Sequence, residues 1–259
     1  HIDFSEPFPN FYAHGLVIKD GVKMSKSKGN VVNPDEYIKL YGSDALRLYL
    51  MFMGPFSEGG DFRDAAMEGM SRWLNRVWRI STTSLESGTD SVDSADITKA
   101  LHKLIKKVGT DTRARHYNTA ISSMMQFTNK FGALSYQALR MFLLVLAPFA
   151  PHITEELWYR CNEAEKIRNL QAKSAKNWSI HQQSYPTYDE KELVEDTVNI
   201  IIQVNGKLRD SIRIDMVSAS DKEKIEAISR SSVKVQKFLD GKHIKKTIVV
   251  VNKLVNFVV

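Results

Sequence analysis

The spacing of apolar residues changes twice along the chain and divides it into three stretches. In the first, residues 1–61, Leu16-Val17-Ile18 and Val22-Lys23 flank Lys19-Asp20-Gly21. Asp-Gly favours the left-handed backbone of a two-residue hairpin turn, so two short strands are expected there. Asn33-Pro34-Asp35-Glu36 then opens a helix, with Asn33 suited to the N-cap, Pro34 to the first turn and Glu36 to a capping box. Gly42 ends that helix, Ser43 caps a second one over Asp44 to about Met53, and Gly54-Pro55 with Gly59-Gly60 mark a break.

From residue 62 to 185 the period is helical. Met70, Trp73, Leu74, Val77 and Ile80 form one stripe, on a helix expected from about Phe62 to Thr83. The polar residues 81–96 read as a loop. Leu101, Leu104, Ile105 and Val108 mark a second helix, expected to end near Gly109, and residues 113–131 and 134–147 carry two more. Pro148 and Pro151 interrupt the chain before Ile153-Thr154-Glu155-Glu156-Leu157-Trp158 restarts it, because proline fits a helix's first turn but not its interior. Short connections make this a bundle, with Trp73, Trp78, Phe142, Phe149 and Trp158 assigned to its core.

Beyond Ser184-Tyr185-Pro186-Thr187-Tyr188 the pattern changes again. Val198 to Val204 is rich in β-branched residues, Asn205-Gly206 is a hairpin turn, and Leu208 to Ile214 alternates as the return strand. Residues 221–239 read as one helix. Thr247 to Val251 and Leu254 to Val259 read as two strands around Asn252-Lys253. The expected fold is therefore multidomain and mainly α: a hairpin/helix segment (1–61), a helical bundle (62–185) and a small C-terminal α+β domain (186–259).

Composition adds exclusions. An apolar content of 43% with 25% charged residues is that of an ordinary globular chain. The longest apolar stretch, Met141 to Ala147, is too short to span a bilayer, and no secretory signal opens the chain, so no membrane partner is expected. Cys161 is the single cysteine, which rules out an internal disulfide and a cysteine-based zinc site and fits a reducing, cytoplasmic setting. The histidines show no paired metal-ligand spacing, so no metal site is expected. The net charge of +6 is uneven: residues 1–62 carry 6 basic against 8 acidic groups, residues 63–185 carry 17 against 11, and residues 186–259 carry 13 against 11. The surplus in the middle suits a phosphate backbone and equally suits a solvated surface.

The sharpest chemical signal is Lys23-Met24-Ser25-Lys26-Ser27-Lys28-Gly29-Asn30. Three lysines within six residues, separated by small polar groups and one methionine, make a flexible, donor-rich loop. Such a loop suits a polyanion that gains charge during a reaction, such as the phosphates of ATP; the plain alternative is a solvated Lys/Ser loop. Lys23 to Ser27 resembles the KMSKS signature of class I aminoacyl-tRNA synthetases, and the hairpin, the Asn33-Pro34 helix and Tyr41-Gly42-Ser43-Asp44-Ala45-Leu46-Arg47 match the same family. Ala147-Pro148-Phe149-Ala150-Pro151-His152-Ile153-Thr154-Glu155-Glu156-Leu157-Trp158 looks like the bundle motif shared by its leucine, isoleucine and valine branches. Val204 to Arg209, Lys245 to Val251 and Leu254 to Val259 are similar to the C-terminal domain of the bacterial-type leucyl-tRNA synthetase branch. Asp210 stands where that branch often has Gly, and Val251 where Pro is usual.

The resemblance implies ATP-dependent leucylation of tRNA(Leu), with ATP bound along Lys23, Met24, Ser25, Lys26 and Ser27 and magnesium accompanying it. Lys26 and Lys23 are the implied catalytic cations, Ser25 and Ser27 either bond phosphate or hold the loop, and Gly29 is a hinge. The family's His-Ile-Gly-His motif is absent, and His1-Ile2 is not its remnant because Asp3-Phe4 follows. The nucleotide-binding sheet, leucine pocket and editing domain are not represented either. The chain is thus expected to be inactive alone and to work with an N-terminal catalytic half, in the same chain or as a separate subunit. The alternatives are a non-catalytic tRNA-binding module and a docking subunit of a split synthetase.

Several basic groups are candidates for RNA. Arg72, Arg76 and Arg79 fall on one arc opposite the Met70/Trp73/Val77 stripe, either tracking phosphates or forming a solvated face with a Glu68–Arg72 pair. Lys103, Lys106 and Lys107 pose the same choice. Arg113, Arg115, His116 and Tyr117 combine charge with aromatic edge. In the tail Lys207 and Arg209 flank a hairpin, and Lys242, Lys245 and Lys246 cluster at a strand start; each is an RNA contact or a protected sheet edge. His152 is expected to satisfy backbone groups at a helix start rather than to act in chemistry.

Overall fold

The computed structural model describes residues 3, 5–86, 93–168, 178–194 and 197–259, so His1-Ile2 and residues 87–92 of the expected loop lie outside it. The chain forms two compact units, His1–Glu192 and Leu193–Val259. The lysine-loop segment and the helical bundle share one hydrophobic core within the first.

That unit opens with strands β1 (Leu16–Lys19) and β2 (Val22–Lys23), paired antiparallel as the Asp-Gly turn requires. Asp20 and Gly21 both have positive φ, 55° and 75°. Helices α1 (Pro34–Tyr41) and α2 (Ser43–Phe52) follow. Asn33 caps α1 through its side chain, which accepts from the Asp35 amide at 3.2 Å. Ser43 is the first residue of α2 rather than its cap; Gly42, at φ 84°, makes that corner.

The expected break at Gly54-Pro55 and Gly59-Gly60 is a tight turn into strand β3 (Gly59–Phe62), which pairs in parallel with β1. The glycines are there for close approach. Gly59 has φ 80°, and a Cβ on it would lie 2.0 Å from the Leu16 carbonyl oxygen. The resulting sheet has the order β2-β1-β3.

Among the described residues five α-helices follow in this unit: α3 (Asp64–Glu86), α4 (Ala95–Arg113), α5 (Tyr117–Lys130), α6 (Tyr136–Leu146) and α7 (Pro151–Arg168). The α3 stripe is buried as expected, and the helix runs past Thr83. Trp73 donates its indole N–H to Thr128 Oγ1 at 2.9 Å, which satisfies a polar group inside the core. Helix α4 does not end at Gly109. The missing side chain there admits the Tyr185 ring, 3.3 Å from where a Cβ would stand, and the Tyr185 hydroxyl donates to the Ile105 carbonyl at 3.0 Å. Burial pushes that hydroxyl up to about 12.

Helix α2 also fixes the corner between α6 and α7. Asp44, 6% exposed, accepts from the Ile153 amide at 2.7 Å, the His152 amide at 3.3 Å and His152 Nδ1 at 2.8 Å. Arg47 donates to the Pro148 carbonyl at 3.1 Å. A carboxylate thus meets the N-terminus of α7 and a guanidinium meets the chain leaving α6, the charge order that helix dipoles favour. His152 itself bonds to the Asp44 carboxylate and, at 3.2 Å, to Ser43 Oγ, so Asp44 and not His152 satisfies the backbone groups.

The second unit is a four-stranded sheet of order β5-β4-β7-β6 from β4 (Thr197–Val204), β5 (Lys207–Asp215), β6 (Lys246–Val250) and β7 (Leu254–Val258). Asn205 and Gly206 both take positive φ at the predicted turn. Residues 221–239 form two helices, α9 (Lys222–Ser231) and α10 (Val233–Leu239), behind a short α8 (Met216–Ala219). Ser232 separates them with extended backbone. Ile200, Ile202, Val255 and Phe257 of the sheet pack with Ala219, Ile225, Val235 and Leu239 of the helices.

Asp44→Ala leaves two α7 amides and an imidazole without their partner. The expected loss is about 1–2 kcal/mol of first-unit stability. Urea unfolding followed by tryptophan fluorescence measures this unit alone, since Trp73, Trp78, Trp158 and Trp178 all belong to it; an unmoved midpoint contradicts the assignment.

Candidate functional site

The Asp-Gly turn sends β2 directly into the lysine loop. Ser25 is extended, Lys26–Lys28 make one 3-10 turn, and Gly29 reverses the chain at φ 67°. The Lys28 amide donates to the Ser25 carbonyl at 3.1 Å and the Gly29 amide to the Lys26 carbonyl at 3.2 Å. Asn30 closes the neck: its Oδ1 accepts from the Ser25 amide at 2.8 Å, and its Nδ2 donates to the Lys23 carbonyl at 3.3 Å. Ser25 and Ser27 hydroxyls bond to each other at 2.7 Å. Met24 is half-buried against the core.

Every bond that shapes the loop is made by backbone, amide or hydroxyl groups. The Lys23, Lys26 and Lys28 side chains are exposed and form no ion pair among the described residues. The loop therefore presents three uncompensated cations on a scaffold that does not need them for its shape.

Below the loop lies a set of polar and aromatic groups that sequence reading did not single out. Phe62, 2% exposed, meets the Tyr37 and Tyr49 rings edge-on, each with centroids 5.0 Å apart. The Tyr37 hydroxyl donates to Asp64 Oδ1, and Lys19 Nζ lies 3.3 Å from Asp64 Oδ2. The Gly21 amide donates to Asp61 Oδ1 at 3.3 Å. The Asp64 hydrogen bond, more than burial, pushes the Tyr37 hydroxyl up to about 12, and the same bond holds the Asp64 carboxyl below its usual range. The only signal in the sequence is position: Asp61 and Asp64 flank a phenylalanine just where the pattern changes.

The candidate RNA residues divide by what they touch. On α3, Arg72 pairs with Glu68 at 3.3 Å, Arg76 donates to Asn129 Oδ1, and Arg79 is exposed. Lys106 lies over the Tyr188 ring, and Lys107 pairs with buried Asp111. Between α4 and α5, Arg113 is exposed, while Arg115, at φ 60°, stacks over Tyr12 at 4.3 Å. Tyr117 packs on Phe56 and Phe149.

In the second unit the β4–β5 register steps from Gln203↔Leu208 to Ile202↔Asp210, which leaves Arg209 as an unpaired bulge residue. Its guanidinium lies 4.0 Å over the Phe238 ring, and its Nε is buried without a hydrogen-bond partner. Asp210 takes the Ser232 hydroxyl at 2.6 Å and Lys234 at 3.3 Å, which lowers its pKa and ties α10 to the strand. Lys207, Lys245 and Lys246 are exposed and form no ion pair among the described residues. No cluster of three His, Cys, Asp or Glu side chains arranged for a metal ion occurs among the described residues, and no described helix is long and apolar enough to cross a membrane.

A lysine loop on a small sheet leads through a corner helix into a helical bundle, and the families that this chain matches are those of tRNA ligases. Residues 1–61 match the model of class I tRNA synthetases (I, L, M and V), and residues 95–226 match the anticodon-binding domain of tRNA ligase. The chain belongs to this anticodon-binding-domain family of tRNA ligases. It is 39% identical over 269 aligned positions to a leucine–tRNA ligase of Dehalococcoides mccartyi and 38% identical over 267 to one of Rubrobacter xylanophilus. Each alignment covers all of this chain and 31% of the relative, so the chain spans about a third of the length of the curated relatives it matches. A solved structure, the ternary complex of Agrobacterium radiobacter K84 agnB2 LeuRS with tRNA and LeuAMS, superposes with a TM-score of 0.73 at 28% identity, over 98% of this chain and 34% of that one.

The raised Tyr37 value has a definite sign. The neutral phenol is the bonded form, so its contribution to stability is full below about 10, the ordinary tyrosine value, and is lost as pH rises through about 12. The depressed Asp64 carboxyl contributes above about 4 and loses that contribution as pH falls through its lowered folded value. Phenolate absorbance at 295 nm tests this: Tyr37→Phe removes one ionisation with a midpoint near 12, and removal of one near 10, the ordinary value, contradicts it.

Proposed function

We propose that this chain is the C-terminal part of a leucine–tRNA ligase and supplies its ATP-phosphate loop and part of its tRNA-binding surface. The reading rests above all on one observation. Lys23, Lys26 and Lys28 stand exposed, with no ion pair among the described residues, on a loop shaped by neutral groups, inside a segment that matches class I tRNA synthetases.

In the first step of the proposed reaction the leucine carboxylate attacks the α-phosphorus of ATP, which enters as its magnesium complex. The bond to the bridging oxygen breaks, and pyrophosphate leaves with the electron pair. Negative charge builds on the β- and γ-phosphates in the transition state. Ammonium groups aimed there stabilise that state more than the ground state. Lys26 has the leading role and Lys23 assists; Ser25 and Ser27, already bonded to each other, are available to phosphate oxygens. Gly29 lets the loop reverse and move. In the second step a hydroxyl of the terminal ribose of tRNA(Leu) attacks the leucyl carbonyl, gives up its proton, and AMP leaves with the electron pair.

For tRNA, the groups that internal contacts leave available are Arg79, Arg113, Lys207, Lys245 and Lys246. Arg72, Arg76, Arg115 and Arg209 are engaged within the protein, and we assign them first to holding their elements. Lysine contacts to phosphate set affinity and register without reading sequence. We place the assembled ligase in the cytoplasm.

ATP–pyrophosphate exchange, with and without an added catalytic part from a relative, tests the proposal. Exchange on mixing and none from this chain alone is the expected result. tRNA binding without exchange in either case would make the chain a binding module, and stable association without a tRNA contribution would make it a docking subunit. The tail has its own test: Lys245→Ala with Lys246→Ala should reduce the slope of log affinity against log salt by roughly 1–2, about one for each phosphate no longer neutralised. An unchanged slope removes both residues from the interface.

A further inference from the structure

The two arms of the lysine loop are only partly anchored by apolar contacts, Met24 on one side and Val32, Tyr37 and Tyr41 on the other packing half-buried against the core. Strand β2 is two residues long and buries neither. Helix α1 has eight residues, none buried, and is too short to be stable without tertiary contacts. Asn30 joins the ends of the loop to each other but does not fix where they stand against the core. Both arms nevertheless reach one carboxylate. Lys19, on the strand that pairs with β2, lies 3.3 Å from Asp64 Oδ2, and Tyr37, on α1, donates to Asp64 Oδ1. The same two side chains share Phe62, with Tyr37 edge-on and Lys19 Nζ 5.8 Å from the ring centroid.

We infer that Asp64 is a positioning residue for the lysine loop, holding the arm that enters it and the arm that leaves it on one anion at the start of α3. This inference rests on the reading of the loop as the ATP-phosphate site. The position suits an anion, because the first turn of a helix favours negative charge. It also separates two classes of lysine. Lys19 is neutralised by Asp64 and belongs to the base, whereas Lys23, Lys26 and Lys28 keep their charge for a ligand. Asp64 touches no reacting atom in this scheme; it sets how often the ammonium groups stand where the leaving phosphates need them.

Two measurements test the inference. In the 259-residue chain, brief trypsin treatment reports loop order through cleavage after Lys23, Lys26 and Lys28. Asp64→Ala and Tyr37→Phe should each speed that cleavage by roughly 5- to 10-fold, the scale of one hydrogen bond to a charged, partly exposed group. The tryptophan-reported unfolding midpoint should fall only by what that one contact contributes, with the unit still folded under the conditions of the digestion. Asp64→Asn keeps an acceptor for Tyr37 but not the charge that holds Lys19, and should restore only part of the protection.

In the ligase assembled with a catalytic part, Asp64→Ala should lower kcat for adenylate formation by a similar factor with the KM for leucine unchanged. Adding Tyr37→Phe to it should lower kcat no further, because both act through one contact. Unchanged cleavage and unchanged kcat in Asp64→Ala, or single effects that multiply in the double variant, would overturn the inference. Lys26→Ala as a control tells the two readings apart. If Lys26→Ala stops adenylation while Asp64→Ala changes nothing, only the positioning role is lost. If Lys26→Ala leaves adenylation at full speed while Asp64→Ala still exposes the loop to trypsin, the phosphate reading fails and the positioning of the loop stands.

Discussion

The edge-on contact of three rings around Phe62 is the constraint on which the loop region depends. Phe62 reaches its buried place because β3 pairs with β1 from Gly59 onward, and that pairing exists only because glycine allows the two backbones to touch. Tyr37 and Tyr49 then bring α1 and α2 onto the same ring. Both carry hydroxyls that need partners at the edge of an apolar cluster. Tyr37 finds Asp64, and Tyr49 accepts from the Arg63 amide at 2.5 Å. An aromatic cluster with satisfied polar tips fixes direction as well as distance.

From that cluster a continuous set of contacts runs into the bundle. Helix α2 gives Tyr49 to the ring cluster at one end and Asp44 with Arg47 to the α6–α7 corner at the other. The lysine loop sits beyond this base, and its own shape is held by Asn30 and a glycine reversal rather than by its charges. A firm base whose tip carries cations with no ion pair among the described residues is what a group needs if it must meet charge that develops only during a reaction. The second unit follows the same economy: internal contacts engage Arg209, while Lys207, Lys245 and Lys246 remain outside.

Features whose cause is local could be read from the sequence. Asp20-Gly21 and Asn205-Gly206 demand left-handed backbone within two residues and produce hairpins in both places. The α3 stripe and the proline that opens α7 are equally local. What could not be read depends on a distant neighbour. Gly59-Gly60 looks like a break until Leu16 is placed against it, and Gly109 looks like a helix end until Tyr185 packs there. Arg209 looks like a free strand cation until the bulge brings it to Phe238. In the candidate site the lysine loop was legible because its residues are contiguous. The roles of Asn30, Tyr37, Asp61 and Asp64 were not, because their partners lie 5 to 45 residues away.

The central claim is that loop ammonium groups stabilise departing pyrophosphate and do little else. Rapid-quench measurement of leucyl-adenylate formation by the assembled ligase carrying Lys26→Ala, set beside its tRNA affinity, is the most direct test. The account predicts a rate lower by about 100- to 1000-fold, the scale of one preorganised transition-state donor, with tRNA affinity nearly intact. Adenylate formed at the unsubstituted rate, or a loss confined to tRNA binding, would contradict it.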